Sequence, residues 1–155
     1  MFDIYNELRK LTTGLERDRI EYALCGGLAM AVHGYVRATV DIDLLVLSEQ
    51  LESVIEVAQR LGYDLKSSPM EFADGKVVIY RVTKAFPGSE DYLSVDLVLV
   101  TDEIRSVWES KEKVKLTHGI LTVVSRQGLI ELKQLRGNKQ DMADIDRLKG
   151  ESDEP

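Results

Sequence analysis

Two aspartates one residue apart interrupt an otherwise apolar run, Thr39-Val40-Asp41-Ile42-Asp43-Leu44-Leu45-Val46. The flanking pattern is that of a strand with apolar residues on both faces, as in the middle of a sheet. Side chains alternate faces along a strand, so Asp41 and Asp43 project to the same side. Two carboxylates side by side among apolar neighbours are costly unless a positive charge holds them together. The pair therefore constrains the fold to bring a cation to one face of a central strand. The simplest candidate is a divalent metal ion such as Mg²⁺, which takes carboxylates together with substrate phosphates and water.

Thirteen residues separate this pair from Gly26-Gly27, which closes the short apolar run Ile20 to Cys25. Leu28 to His33 is rich in helix formers and stops at Gly34, so the glycines sit at a strand-to-helix turn. Glycine lets backbone N–H groups come close to a ligand, and a helix start favours phosphate. A third acid, Asp96, lies within Tyr92-Leu93-Ser94-Val95-Asp96-Leu97-Val98-Leu99 and shares a face with Ser94. If its strand lies beside that of Asp41, the three carboxylates form one cluster; otherwise Asp96 is a solvated outer-face acid. Arg37, just ahead of the acidic strand, is placed to touch a triphosphate. Lys133 and Arg136, three apart on one helix face, either meet phosphate oxygens or form an ordinary solvated face. Asn138 reads as a helix start with Asp141 in its first turn, a structural role, and Asp144 stays open.

Around these residues the spacing predicts helices over 2–17, 28–33, 48–62, 101–108, about 126–136 and 138–149. It predicts strands over 20–25, 40–47, 77–82, 93–100, 114–117 and 120–124, with turns at Asp74-Gly75 and His118-Gly119. The order implies an α/β (α+β) fold with a mixed sheet and C-terminal helices. Residues 1–149 are expected to form a single domain, followed by a polar tail, 150–155.

At 155 residues the chain can bury roughly 70% of its unfolded surface and needs no disulfide to fold. Its single cysteine, Cys25, reads as a small buried strand residue. A net charge of −7 argues against generic DNA or RNA coating, which calls for a basic surface. No signal-peptide pattern or membrane-length apolar run is present, so the expected location is cytoplasmic, with no membrane partner.

Gly26-Gly27 followed by Asp41-Ile42-Asp43, with Asp96 on a later strand, resembles the nucleotidyltransferase superfamily that includes DNA polymerase β. The string from Gly26 to Asp43 is similar to its minimal prokaryotic branch, which includes the abortive-infection toxin-type nucleotidyltransferases. Leu129 to Lys133 and Asp141 to Ile145 echo that branch's C-terminal pattern. The resemblance implies an enzyme that moves a nucleoside monophosphate from a nucleoside triphosphate, ATP among them, to a hydroxyl acceptor. That acceptor is left open between an RNA end, a protein and a small molecule. It further implies that Asp41, Asp43 and Asp96 are catalytic and hold two Mg²⁺ ions. Gly26 and Gly27 would contact the triphosphate, and Lys133 stands where a basic residue assists the nucleotide. The toxin-type likeness suggests a toxin–antitoxin or phage-defence setting. The alternative is a catalytically silent module of the same fold that acts by binding a partner protein.

Overall fold

In a computed structural model the described residues are 2–36, 38–117 and 119–150. Arg37, His118 and all of the predicted tail but Gly150 lie outside them. The chain opens with helix α1 (Ile4–Arg17), whose start is capped by Asp3: its carboxylate accepts from the Tyr5 and Asn6 N–H groups. Strand β1 (Ala23–Cys25) runs directly into helix α2 (Gly26–Val32), and strand β2 (Asp41–Val46) follows. A 3-10 turn, Ser48–Gln50, leads into helix α3 (Leu51–Arg60), where a single helix was expected from the apolar stripe. Next come strands β3 (Leu65–Lys66), β4 (Met70–Phe72), β5 (Val77–Ala85) and β6 (Tyr92–Leu99). Helix α4 (Arg105–Glu109), strands β7 (Glu112–Leu116) and β8 (Gly119–Val123), and helices α5 (Arg126–Arg136) and α6 (Lys139–Gly150) complete the described chain.

These strands form one mixed sheet in the order β3-β5-β6-β2-β1-β8-β7, with β4 also paired to β5. The pairs β2–β6 and β1–β8 are parallel, and the others are antiparallel. The α/β class with a mixed sheet is thus present as expected. The centre is apolar: Leu24, Ile42, Leu44, Leu45, Val95 and Leu97 are all fully buried. The strand predicted over 20–25 is shorter than expected, while that over 77–82 continues to Ala85. Short strands β3 and β4 were not anticipated, because Leu65, Lys66 and Phe72 are exposed and carry no apolar alternation. Ala73, Asp74 and Gly75 all take positive φ in the β4–β5 turn, where the Asp-Gly pair announced one. Among the described residues no helix is long and apolar enough to cross a membrane.

The two faces of the sheet are covered differently. On one, Lys84 of β5 donates to Glu7 of α1 at 3.1 Å, and the buried Tyr63 hydroxyl donates to the same carboxylate at 2.8 Å. Burial alone would raise the Glu7 pKa, but the bonds from Tyr63 and Lys84 outweigh it and hold the group below its ordinary value. On the other face α5 and α6 approach: Leu132, Lys133, Arg136 and Asp141 close a small cavity against Cys25, Asp43, Ile79 and Val98.

Removing the Tyr63 hydroxyl leaves Glu7 buried with one donor fewer. Tyr63→Phe is expected to lower the unfolding free energy by about 1 to 2 kcal/mol, read from urea unfolding at neutral pH. An unchanged midpoint would mean that Lys84 alone satisfies Glu7.

Candidate active site

The register of four strands builds the site. Asp43 of β2 lies opposite Cys25 of β1 on one side and opposite Asp96 of β6 on the other. Asp96 in turn lies opposite Arg81 of β5. Residues directly opposite share a face, so Cys25, Asp43, Asp96 and Arg81 form one row across the sheet. One step along, Asp41, Ser94 and Thr83 form a second row, in which the Thr83 and Ser94 hydroxyls are hydrogen-bonded at 2.9 Å. In the opposite direction the row is apolar, with Ala23, Leu45, Val98 and Ile79. The expected neighbourhood of Asp41, Asp43 and Asp96 is therefore present, at the boundary between a polar and an apolar stretch of one sheet face.

The cation that meets these acids is an arginine. Arg81 donates through Nε to Asp96 Oδ1 at 2.7 Å and through a terminal nitrogen to Oδ2 at 3.0 Å. The same terminal nitrogen stands 3.9 Å from Asp41 Oδ2. Asp96 is 7% exposed, whereas Arg81 and Asp41 are each 36% exposed. The hydrogen bond with Asp96 raises the Arg81 pKa further, so the guanidinium stays charged. Sequence reasoning did not single out Arg81. The available signal was a lone cation inside Val77-Val78-Ile79-Tyr80-Arg81-Val82, the counterpart of Asp96 in its own apolar strand.

Arg81 directs its hydrogen bonds to Asp96 and not to Asp43. Burial, and then the neighbouring Asp96 charge, push the Asp43 carboxyl up to about 7, although Arg136 and Lys133 pull the other way. Asp41 is raised too, by burial and then by Asp96, with Arg81 opposing. Burial and the Asp43 charge also raise the Cys25 thiol well above its ordinary value, which suits a buried packing residue rather than a nucleophile.

Gly26 is the piece of the turn that the acids require. Its φ is +70°, and a Cβ there would stand 2.1 Å from Asp43 Oδ2. The glycine thus makes room for the carboxylate itself, a tighter demand than a backbone approach to phosphate. Gly27 is buried in the first turn of α2. At the other end of that helix, His33 Nε2–H donates to the Val124 carbonyl at 2.9 Å.

Lys133 is placed differently from a free phosphate ligand. It is 3% exposed and donates to Asp144 at 2.9 Å, with Asp141 at 3.9 Å. Arg136 grips Asp141 with two bonds, at 2.8 and 2.7 Å. Asn138 and Asp141 bond reciprocally at the start of α6, the structural role read for Asp141. Both cations nevertheless line the cavity of about 50 Å³ that opens beside Asp43. Of the two, Arg136 is the more exposed, at 36%.

The oxygen-rich donor set suits a hard divalent cation. Among the described residues, however, no three acidic, histidine or cysteine side chains are already gathered around a metal-sized point. Asp41 and Asp43 offer oxygens, while both oxygens of Asp96 are engaged by Arg81. The residues fit the ion in type, Asp41 and Asp43 being the two acids of the three that Arg81 does not hydrogen-bond.

No protein-family model and no curated protein matches this sequence. Among solved structures, it is similar to a Thermotoga maritima protein described as a candidate nucleotidyltransferase. The two share 14% identity at a TM-score of 0.63, over 96% of this chain and 93% of that one. It is also similar to ANT(2″)-Ia in complex with adenylyl-2″-tobramycin, with 14% identity and a TM-score of 0.64, over 96% and 88% of the chains. The solution structure of the antibiotic-resistance factor ANT(2″)-Ia matches at 14% identity and a TM-score of 0.58, over 95% and 82%. The chain thus shares the fold of these structures over nearly its whole length.

The raised Asp43 gives the fold a pH signature. The folded protein keeps that proton to about pH 7, whereas an unfolded chain releases it near about pH 4. Raising the pH through this window favours the unfolded state, so ionised Asp43 destabilises the fold above it. Without divalent cations, Asp43→Asn is expected to raise Tm relative to wild type at pH 8, and to raise it by much less at pH 5, near the lower edge of the window. Calorimetry showing the same offset at both pH values would contradict this charge burden.

Proposed function

We propose that this protein is a nucleotidyltransferase that moves a nucleoside monophosphate from a nucleoside triphosphate to a hydroxyl acceptor, with Asp41, Asp43 and Asp96 as its catalytic acids. The observation that carries the reading is the register Asp43↔Asp96 between parallel strands, with Asp41 on the same face. A cluster of three acids at the Gly26 turn is a poor arrangement for stability and a good one for phosphoryl chemistry. The fold shared with nucleotidyltransferases supports the same class.

In this reading Asp41 and Asp43 would hold Mg²⁺, with Asp96, beside Asp43 in the same row, as the third acid for a second ion. The metal supplies charge neutralisation on the triphosphate and a fixed orientation for it. Gly26 and Gly27 bring the start of α2 close to the phosphates, and Arg37 stands within the segment that leads to β2. Lys133 acts beside Asp43 from within its ion pair with Asp144, setting the local field, while Arg136 offers the more accessible charge. The acceptor hydroxyl attacks the α-phosphorus, its proton passes to a carboxylate of the cluster, and pyrophosphate leaves.

The acceptor class is best sought among small molecules first, because a chain of net charge −7 is poorly suited to hold an RNA backbone. The ANT(2″)-Ia complex, with its adenylylated aminoglycoside, supports including cationic aminoglycosides in the trial. RNA ends and proteins of a toxin–antitoxin or phage-defence pair are the next acceptors to try, in a cytoplasmic setting. One observation favours a second reading, a silent module that binds a partner protein: Arg81 holds both oxygens of Asp96 in an ion pair.

Incubation with each α-phosphorus-labelled nucleoside triphosphate, Mg²⁺ and acceptor panels decides between them. Transfer is expected, falling by about a hundredfold or more in Asp43→Asn, as happens when a group aimed at transition-state charge is lost. Absence of transfer to aminoglycosides, RNA and lysate alike, with nucleotide binding unchanged in Asp41→Asn and Asp43→Asn, would favour the silent module.

A further inference from the structure

The two edges of the sheet are built differently. At one, β3 and β4 share the outer side of β5 as pieces of two and three residues, with Ser67, Ser68 and Pro69 between them. An interrupted edge with proline in the gap is a poor template for a further strand. At the other edge, β7 runs unbroken from Glu112 to Leu116, and among the described residues it pairs with β8 alone. Alternate N–H and C=O groups along its outer side therefore face away from the sheet. Its side chains sort by face. Lys113 lies opposite Thr122, and Lys115 lies opposite the exposed Ile120. Both lysines are exposed, and among the described residues neither is held in an ion pair. Lys111, just before the strand, is instead committed to Trp108, with Nζ 3.9 Å from the ring centroid. The other face of β7 carries Glu112, Val114, which packs against the core, and Leu116, 46% exposed.

The two lysines decide what this edge accepts. A second copy of β7 fits badly. Centred on Val114, an antiparallel pairing sets Lys113 opposite Lys115; moving the centre by one residue sets Lys113 on Lys113 or Lys115 on Lys115, and like charges directly opposite are destabilising. A nucleic-acid backbone fits badly as well, because Glu16 and Glu21 line the cavity that Lys113 borders, and the chain carries a net charge of −7. What fits is an extended peptide with acids opposite Lys113 and Lys115 and apolar residues between them, beside Val114 and Leu116. We propose that β7 is the docking edge for a partner protein, which adds to the sheet a strand of alternating acidic and apolar residues. Main-chain bonds to β7 supply the affinity, and the lysines select the acidic partner. Strands β1 and β8 separate β7 from the acid-bearing β2. The docking edge thus stands apart from the acid row, and it does not depend on the nucleotidyltransferase reading.

The test uses the whole protein and three fluorescent probes read by anisotropy: a peptide alternating glutamate with valine, its lysine–valine counterpart, and a single-stranded RNA oligonucleotide. The glutamate peptide is expected to bind and the lysine peptide not to. Lys113→Glu combined with Lys115→Glu should weaken the glutamate peptide by about tenfold or more and admit the lysine peptide. Two N-methylated glutamate peptides, blocked on alternate residues, separate strand addition from charge attraction. One should lose binding and the other keep it, because only alternate N–H groups of a strand face a given neighbour. Equal behaviour of the two N-methylated peptides would overturn the proposal. So would failure of the glutamate peptide to bind at millimolar concentration, whether or not the RNA binds. A dimer in sedimentation that the paired Lys113→Glu and Lys115→Glu changes dissociate would overturn it in favour of a second copy.

Discussion

Three carboxylates on one face of a mixed sheet must be neutralised, and the fork between Arg81 and Asp96 is how this chain begins to do it. Asp96 lies in the middle of a buried strand, where an unpaired charge would cost several kcal/mol (about 3 to 5 when one partner of such a pair is lost). The antiparallel register of β5 on β6 sets Arg81 opposite it, and the parallel register of β2 on β6 sets Asp43 on its other flank. Neither pairing could slip by one residue without moving its acids or its cation to the opposite face. Strand order and site chemistry are thus one constraint.

The remaining parts of the site fit around that row. Gly26 is glycine because any side chain there would strike the Asp43 carboxylate. Asp43 stays uncompensated by a direct bond, and its raised carboxyl records the debt. Behind it, Lys133, Asp144, Arg136 and Asp141 form a network in which each acid has a cation, anchoring α5 to α6 beside the small cavity. The helices thus carry their own counter-charges, and two of these, Lys133 and Arg136, line the cavity beside Asp43.

Much of this was legible in the sequence, for identifiable reasons. The Asp41 and Asp43 pair stood out because a strand's alternation fixes which side chains share a face, whatever the tertiary fold. Asp96 stood out as a charge in an apolar strand, and only the pairing of β6 with β2 remained to be learned. Arg81 was missed, since its meaning depends on the register of two strands across a hairpin, which local pattern does not specify. Lys133 was read as either a phosphate contact or part of an ordinary solvated face, and its burial follows from how α6 folds back to bring Asp144 within 2.9 Å, a tertiary matter. Strands β3 and β4 are short edge pairings of exposed residues, held by β5 rather than by any pattern of their own.

The central claim is that the acid row and the Gly26 turn together form a metal and triphosphate site. Its most direct test is a crystal structure with Mn²⁺ and a non-hydrolysable nucleoside triphosphate, read by anomalous scattering. The account predicts a manganese peak coordinated by Asp41 and Asp43, with phosphates at the start of α2. Manganese and nucleotide bound elsewhere would contradict it.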